Sequence, residues 1–284
     1  MPILVDFNQV FISNIMQQPN LHVYGVNEDL IRHMILKGIR SYRNKFTNDF
    51  GEIIICCDNK KFWRKTAYPY YKANRKKVRS ESGADWNEIF GCMNKIKQEF
   101  VDSMPYVVMD IVGAEADDII AVLCEHLTLT MPTPILIFSG DKDFIQLHKY
   151  DGVKQYSPVG KEYIKHSDPI GFLREHIMRG DRSDGVPNFL SEDDTFVNGG
   201  RQTRLSSSKI SEWGSLTPED FCDYKMMRNY KRNQLMIDFD FIPKELKTDI
   251  INTYTNYESN GRGGILNYFM ETRQKELLSD INDF

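Results

Sequence analysis

The chain has 284 residues, 41% of them hydrophobic and 27% charged, with a formal net charge of −4. That length suits one large domain or two modest ones, and the apolar content excludes disorder as the dominant state. The longest apolar runs are short segments such as Ile53–Cys57 and Pro134–Phe138, too short to cross a bilayer, so no membrane partner is expected.

In chain order, the first element is a buried strand, Ile3–Asp6, apolar until it closes on an acid. The N-terminus has no basic region and places Asp6 inside its apolar stretch, so it does not read as a secretory signal. Almost nothing precedes the strand, and no N-terminal partner-binding tail is expected. Leu30, Met34, Ile35 and Ile39 then recur with the spacing of one helical face. A second strand, Glu52–Asp58, again ends in an acid and contains the adjacent Cys56 and Cys57. The five cysteines include no Cys-x-x-Cys pair, and the six histidines stand singly. Reduced core thiols in a cytoplasmic setting are expected, with little support for zinc.

The average charge conceals an asymmetry. From Lys60 to Arg79 there are nine Lys/Arg and no acid, against 27 basic and 40 acidic residues elsewhere. Phe62, Trp63, Tyr68, Tyr70 and Tyr71 interleave with these cations. Basic side chains neutralise phosphates and aromatic faces stack on unpaired bases, so nucleic acid is the expected partner. A charge run is more often a solvated helix face, but this one starts two residues after the acid that ends a strand. Pro69 breaks any helix spanning the segment, so a new one is predicted over Tyr70–Arg79, with Lys72 and Arg75 on one face.

Ile89, Met93, Ile96 and Phe100 mark another helix, Tyr106–Asp110 a third strand, Ala116–Leu127 a helix entered through Glu115, and Ile135–Ser139 a fourth strand. Strands alternating with helices predict an α/β fold with a mainly parallel central sheet flanked by helices. Beyond about residue 180 the texture changes. A Gly- and Ser-rich stretch, Gly199–Ser208, interrupts the pattern, and Pro218–Tyr230 and Pro243–Tyr257 read as helices and loops. The expected division is 1–180, an α/β core, and 181–284, a helical C-terminal region.

The carboxylates form one pattern. Asp6, Asp58 and Asp141 lie at strand ends, where an open α/β sheet binds its ligands. Glu115-Ala-Asp117-Asp118, Asp141-Lys-Asp143 and Gly180-Asp181-Arg-Ser-Asp184 add to them. Any one of these acids reads well as a helix cap or a turn residue. Together they do not, because two unit charges about 4 Å apart repel by roughly 4 kcal/mol at an effective dielectric near 20. Such a cluster needs cations. Hard oxygen ligands select Mg²⁺, with Mn²⁺ able to substitute, and so many acids suit two ions, an arrangement fitted to in-line phosphoryl displacement.

These residues resemble a known family. Asp6, Asp58, Glu115–Asp118, Ser139–Asp143 and Gly180–Asp184 match, in order, the motifs of the 5′-nuclease family of flap endonucleases and 5′→3′ exonucleases, and within it the phage ribonuclease H branch. Tyr71–Arg75, Gln146–Tyr150 and Ile237–Pro243 extend the likeness over nearly the whole chain. The resemblance implies a 5′-nuclease or PIN-like core with one ion among Asp6, Asp58, Glu115, Asp117 and Asp141 and another nearer Asp143, Asp181 and Asp184, some acids acting through water. Asp118 also matches a family acid. Lys72 and Arg75 match the basic pair of the family's arch or bridge (about residues 60–85), which holds the scissile phosphate, and Tyr71 is placed to stack on a terminal base. With Asp117, these two cations are the expected catalytic residues. Lys65, Lys76, Lys77 and Arg79 complete the basic nucleic-acid-binding set.

One departure stands out. The chain has Gly185-Val-Pro-Asn188 and lacks the Gly-x-Gly hairpin of a helix–hairpin–helix duplex-binding motif. Arg201–Lys209 is expected to replace it, with Arg204, Ser207 and Lys209 meeting phosphates; the ordinary reading of that stretch is a loop and a helix cap. The expected function is metal-dependent hydrolysis near the 5′ ends of duplex DNA, including 5′ flaps, nicks and RNA–DNA hybrids, with primer removal in phage DNA replication in the infected host cytoplasm. A monomer is expected, with a single-stranded-DNA-binding protein or sliding clamp as further partners. The rivals are another metal-dependent phosphohydrolase, which the basic aromatic segment argues against, and an inactive DNA-junction binder, which the full acid set argues against.

Overall fold

Six strands, β1 (Pro2–Asp6), β2 (Glu52–Cys57), β3 (Val107–Asp110), β4 (Ile135–Phe138), β5 (Val153–Ser157) and β6 (Glu162–Ile164), make one sheet in a computed structural model that describes residues 2–18, 21–131 and 133–284. Their order is β3-β2-β1-β4-β5-β6, parallel throughout except for the antiparallel β5–β6 pair. The chain steps outward from β1 to β3 and returns to β4 on the other side of β1. The carboxyl ends of β1 and β4 therefore flank the point where strand order reverses, which is where open α/β sheets hold ligands.

Alternation along the buried strands assigns the two faces. Ile3, Val5, Ile53 and Ile55 join Phe11, Ile35 and Phe100 under the helices Phe7–Ile15, Glu28–Phe50 and Trp86–Ser103. Leu4, Ile54, Ile135 and Ile137 join Ile119, Ile120 and Leu123 of the helix Ala116–Thr130 on the opposite face. A third cluster gathers Tyr68, Tyr71, Ile177, Phe189, Tyr230 and Ile237. Residues on both sides of position 180 contribute to all three: Phe269 and Phe284 close the first, Leu246 and Ile250 the second, and Tyr230 and Ile237 the third. No helix among the described residues is long and apolar enough to cross a membrane, and all five cysteines are free.

The four predicted strands and the alternating helices are present. β5 and β6 escape the sequence pattern, because they are short strands at one side of the sheet, β6 forming its edge, and their polar residues (Lys154, Gln155, Glu162) break any apolar run. The helix predicted over Tyr70–Arg79 is also corrected. The helix is Arg75–Glu81, and Lys72 lies in the turn before it with φ 55°, so Lys72 and Arg75 do not share a helical face. The backbone N–H of Lys72 donates to the carbonyl of Asp184 at 2.7 Å, a tertiary bond that overrides the local helical preference.

Phe138 ends β4 with no exposure, 4.1 Å from the Tyr42 ring centroid and stacked on Tyr156 at 5.7 Å. Phe138→Ala should cost about 3–5 kcal/mol, since the aromatic packing cannot collapse into the space it leaves. A urea midpoint unchanged from the parent chain would contradict this packing.

Candidate active site

Each of these strand ends delivers an acid, and the local hydrogen bonds explain how each is held. Asp6 caps the helix Phe7–Ile15, its Oδ1 accepting from the Gln9 backbone N–H at 3.0 Å, while Ser139 Oγ donates to its Oδ2 at 3.0 Å. Asp58 accepts from the Ala116 backbone N–H at 2.8 Å and from Asn8 Nδ2 at 3.0 Å. Past β4, the Gly140 N–H donates to Gln9 Oε1 at 2.6 Å, and Gln155 of β5 holds the Ser139 and Asp141 carbonyls at 3.0 and 2.5 Å. Asp141 in turn accepts from the Asp143 backbone N–H at 3.0 Å. Gln146 ties this turn to the late chain, donating to the carbonyls of Asp143 and Ile237 and accepting from the Phe239 N–H. The Gln146–Tyr150 and Ile237–Pro243 motifs thus meet.

The loop that bears Asp181 and Asp184 requires its glycines. Gly180 has φ 69°, and a Cβ there would fall 2.4 Å from the Val186 carbonyl oxygen. Gly185 has φ 76° and would meet the Tyr70 carbonyl at 2.9 Å. Gly180 thus lets the loop fold back on itself, and Gly185 lets it press against the turn that carries Lys72.

The acids separate into two electrostatic groups. Glu115 and Asp184 have cations of their own: Lys72 Nζ lies 2.5 Å from Glu115 Oε1 and 3.5 Å from Asp184 Oδ2, and Arg75 Nη2 lies 2.5 Å from Asp184 Oδ1. Burial pushes the Asp184 carboxyl up, but Lys72 and Arg75 outweigh it and hold the group below the usual carboxylate range. The other group lacks such close ion pairs among the described residues. Burial, with Asp58 and Asp141 nearby, raises Asp6 to about 7. Burial and then the charges of Asp141 and Asp6 push Asp117 well up, and burial with Asp141, Asp181 and Asp184 does the same to Asp143. Asp58 and Asp141 are raised too, burial again coming first. These groups resist ionisation beside one another, and a divalent cation among them would remove that resistance.

A groove of about 880 Å³ opens onto this edge. Lys65, Lys72, Arg75, Lys76 and Arg79 line it together with Phe62 and Phe90, and Asp58 and Glu115 stand at its acidic end. The basic wall and the Asp58–Glu115 end of the acid set thus share one groove.

The comparisons with known proteins agree with this geometry. Residues 16–174 match the family described as 5′-3′ exonuclease, N-terminal resolvase-like domain, and residues 170–284 match T4 RNase H, C terminal. The ribonuclease H of Enterobacteria phage T4 is 36% identical over 299 residues, covering 99% of this chain and 95% of that one. The chain belongs to the 5′-nuclease family. A 5′-3′ exonuclease of Streptomyces coelicolor is 24% identical over 172 residues, covering 54% of this chain and 56% of its own. In fold, the chain superposes on the flap endonuclease of bacteriophage T5, solved as a pseudo-enzyme–product complex with DNA and metal ions, with a TM-score of 0.63 at 15% identity over 96% of this chain and 98% of that one. As a member of this family, the chain is a nuclease built on the mainly parallel sheet described above, with a helical C-terminal region that includes the helices Tyr224–Ile237 and Lys244–Thr255.

Within this nuclease, two of the expected roles are corrected. Tyr71 is not free to stack on a base: it is 3% exposed, its ring packs in the third core cluster, and its hydroxyl lies 3.0 Å from Glu115 Oε2 and 2.8 Å from Asp184 Oδ2. Asp118 is fully buried, its Oδ1 held by Arg64 at 2.7 Å and Trp63 Nε1 at 3.3 Å and its Oδ2 by the Glu115 backbone N–H at 2.9 Å. It anchors the start of the helix Ala116–Thr130 and does not face the acid cluster. Arg204, Ser207 and Lys209 lie in the exposed loop and short helix Ser207–Trp213, with Lys209 Nζ over the Trp213 ring at 5.3 Å; their contacts do not reach the acids.

Sequence reasoning missed Arg64 and His176. Arg64 is 2% exposed and bridges Asp118, Glu115 at 3.1 Å and the Met236 carbonyl at 2.9 Å, so the basic segment, the acid helix and the C-terminal region meet on one guanidinium. Nothing in its sequence neighbourhood distinguishes it from the exposed cations around it. His176 lies beside Asp143 and Asp181; its position on a helix five residues before Asp181 was the available signal.

Unfolded Asp6 takes the ordinary value of 3.8 and folded Asp6 about 7. Between those values the folded chain keeps a proton that the unfolded chain has released, so in chelator this group makes stability fall as pH rises. Asp6→Asn keeps a competent helix cap and should flatten that decline between about pH 4 and 7. Parallel pH profiles of the urea midpoint for the two chains would contradict the assignment.

Proposed function

We propose that this enzyme is a divalent-metal-dependent 5′→3′ exonuclease and flap endonuclease acting near the 5′ ends of duplex DNA and RNA–DNA hybrids. The observation that carries the reading is the groove that runs from Lys65, Lys76 and Arg79 to Asp58 and Glu115. A nucleic-acid strand lying along its basic wall has its backbone directed at the edge where uncompensated carboxylates converge. A small-molecule phosphohydrolase has no use for such an approach, and an inactive junction binder none for the acids.

The carboxylates without protein cations fit divalent ions: Asp6, Asp58, Asp117 and Asp141 on one side, Asp143 and Asp181 on the other, with Mg²⁺ as the expected species and Mn²⁺ able to replace it. When bound, such ions supply an activated water and stabilise the leaving oxygen. The chain's own cations do separate work. Glu115 and Asp184 orient Lys72 and Arg75 at the mouth of the groove, where a scissile phosphate would meet two positioned donors. Lys65, Lys76 and Lys77 are exposed and fit sequence-independent backbone contact, and Arg79, stacked 5.1 Å from Trp86 and 4.8 Å from Phe90, stiffens that wall. Arg204, Ser207 and Lys209 are assigned to duplex backbone beyond the groove.

The biological setting that fits is removal of RNA primers during phage DNA replication in the cytoplasm of an infected host, the chain acting as a monomer alongside a single-stranded-DNA-binding protein or sliding clamp. The T4 relative named ribonuclease H supports this setting.

Labelled 5′-flap, nicked and RNA-primed duplexes digested side by side test the reading. Mg²⁺ should give 5′-end cleavage that chelator abolishes. Asp117→Asn removes one charge with almost no change of shape, so it should keep substrate binding while turnover falls by at least about a hundredfold, or ~2.7 kcal/mol of transition-state stabilisation. Cleavage at the parent rate by this variant, or cleavage in chelator, would overturn the proposal.

A further inference from the structure

We infer that His176 is a nitrogen ligand in the Asp143–Asp181 half of the metal centre and gives that half a preference for transition-metal ions over Mg²⁺. The inference rests on the metal-dependent reading above and adds to it a chemical difference between the two halves.

His176 lies in the last turn of the helix Pro169–Arg179, and its carbonyl accepts from the N–H of Gly180, where the chain reverses into Asp181. Phe172, one turn earlier, meets its ring edge to face at 5.9 Å and fixes the imidazole plane. Nδ1 lies 3.4 Å from Asp143 Oδ1, beyond an ordinary hydrogen bond. That nitrogen is closed off from solvent and has no hydrogen-bond partner among the described residues. A buried polar atom left without a partner is uncommon in folded proteins and needs a reason.

The donor atoms of Asp143, His176 and Asp181 all fall within 4.8 Å of one another. Ligands on opposite sides of one ion stand about 4 Å apart when each bond is about 2.0–2.1 Å, so a small contraction gathers these three around a cation. Two carboxylates and an imidazole form a mixed oxygen–nitrogen donor set. Imidazole suits Zn²⁺ and the other late first-row ions and is accepted by Mn²⁺, whereas Mg²⁺ favours oxygens and keeps its waters. Asp6, Asp58, Asp117 and Asp141 offer oxygens alone. The simpler alternative is that His176 only leans on Asp143 and touches no ion.

Pulsed EPR on the full chain with one equivalent of Mn²⁺ decides between them. A directly bound imidazole gives a ¹⁴N coupling; this should appear in the parent chain and vanish in His176→Gln. In calorimetric titrations, His176→Gln should lose at least about tenfold in Zn²⁺ affinity and less than about threefold in Mg²⁺ affinity. Asp143→Asn serves as the reference for the centre itself and should weaken both metals. If Asp143→Asn weakens binding while the parent shows no ¹⁴N coupling and His176→Gln keeps the parent's Zn²⁺ to Mg²⁺ ratio, the metal centre stands and the role of His176 is overturned. If the parent binds neither metal, both fall. Should His176→Gln not fold, the presence or absence of the ¹⁴N coupling in the parent chain settles the role of His176 alone.

Discussion

Carboxylates do not gather at one edge of a sheet unless something balances them, and the rest of this molecule is arranged around that requirement. Two unit charges about 4 Å apart repel by roughly 4 kcal/mol at an effective dielectric near 20, and here several acids converge. The protein balances part of the set internally. Arg64 satisfies Asp118 and Glu115, and Lys72 and Arg75 satisfy Glu115 and Asp184. It leaves Asp6, Asp58, Asp117, Asp141 and Asp143 without close ion pairs to Lys or Arg among the described residues, and burial makes their ionisation harder still. Backbone donors and the amides of Asn8, Gln9 and Gln155 fix the positions of these groups or of the turns that bear them without neutralising them.

This division explains why the basic segment and the loop after Gly180 are built together. The Lys72 N–H to Asp184 carbonyl bond, the close approach of Gly185 to Tyr70, and the Tyr71 hydroxyl beside both Glu115 and Asp184 lock the turn that carries Lys72 onto the acid edge. Lys72 and Arg75 are therefore oriented before any substrate arrives. In the proposed reaction such donors need no reorganisation as charge grows on the phosphate, which is where preorganisation acts on rate.

Much of this is legible in the sequence. Asp6, Asp58 and Asp141 announce themselves because a strand's apolar run stops at them, and the parallel order brings those ends together whatever their distance along the chain. What is not legible depends on side-chain direction or on distant partners. Tyr71 sits amid cations and reads as a stacking residue, yet Ile177, Phe189 and their neighbours bury it. Asp118 stands in the acid motif, but three residues after Glu115 it turns back as a helix cap. Spacing alone puts Lys72 on a helix, and one long-range hydrogen bond holds it instead in the left-handed region. Arg64 carries no local mark, since it gains its meaning from residues far along the chain, and the one mark of His176 is its place on the helix that ends just before Asp181.

The central claim is that the acids without protein cations are balanced by divalent ions, and equilibrium stability tests it most directly. Ions that bind only the folded chain raise its unfolding free energy by about 1.4 kcal/mol per bound ion for each tenfold rise in concentration above saturation. Urea unfolding at neutral pH across a Mg²⁺ titration, with Ca²⁺-free buffer and constant ionic strength, should therefore show stability climbing with the logarithm of Mg²⁺, approaching about 2.8 kcal/mol per tenfold for two ions. The same titration of a chain in which Asp6 and Asp117 are both Asn should lose about half of that slope, falling towards about 1.4 kcal/mol per tenfold, because the Asp143–Asp181 half keeps its ion. A parent chain whose unfolding midpoint ignores Mg²⁺ would contradict the account.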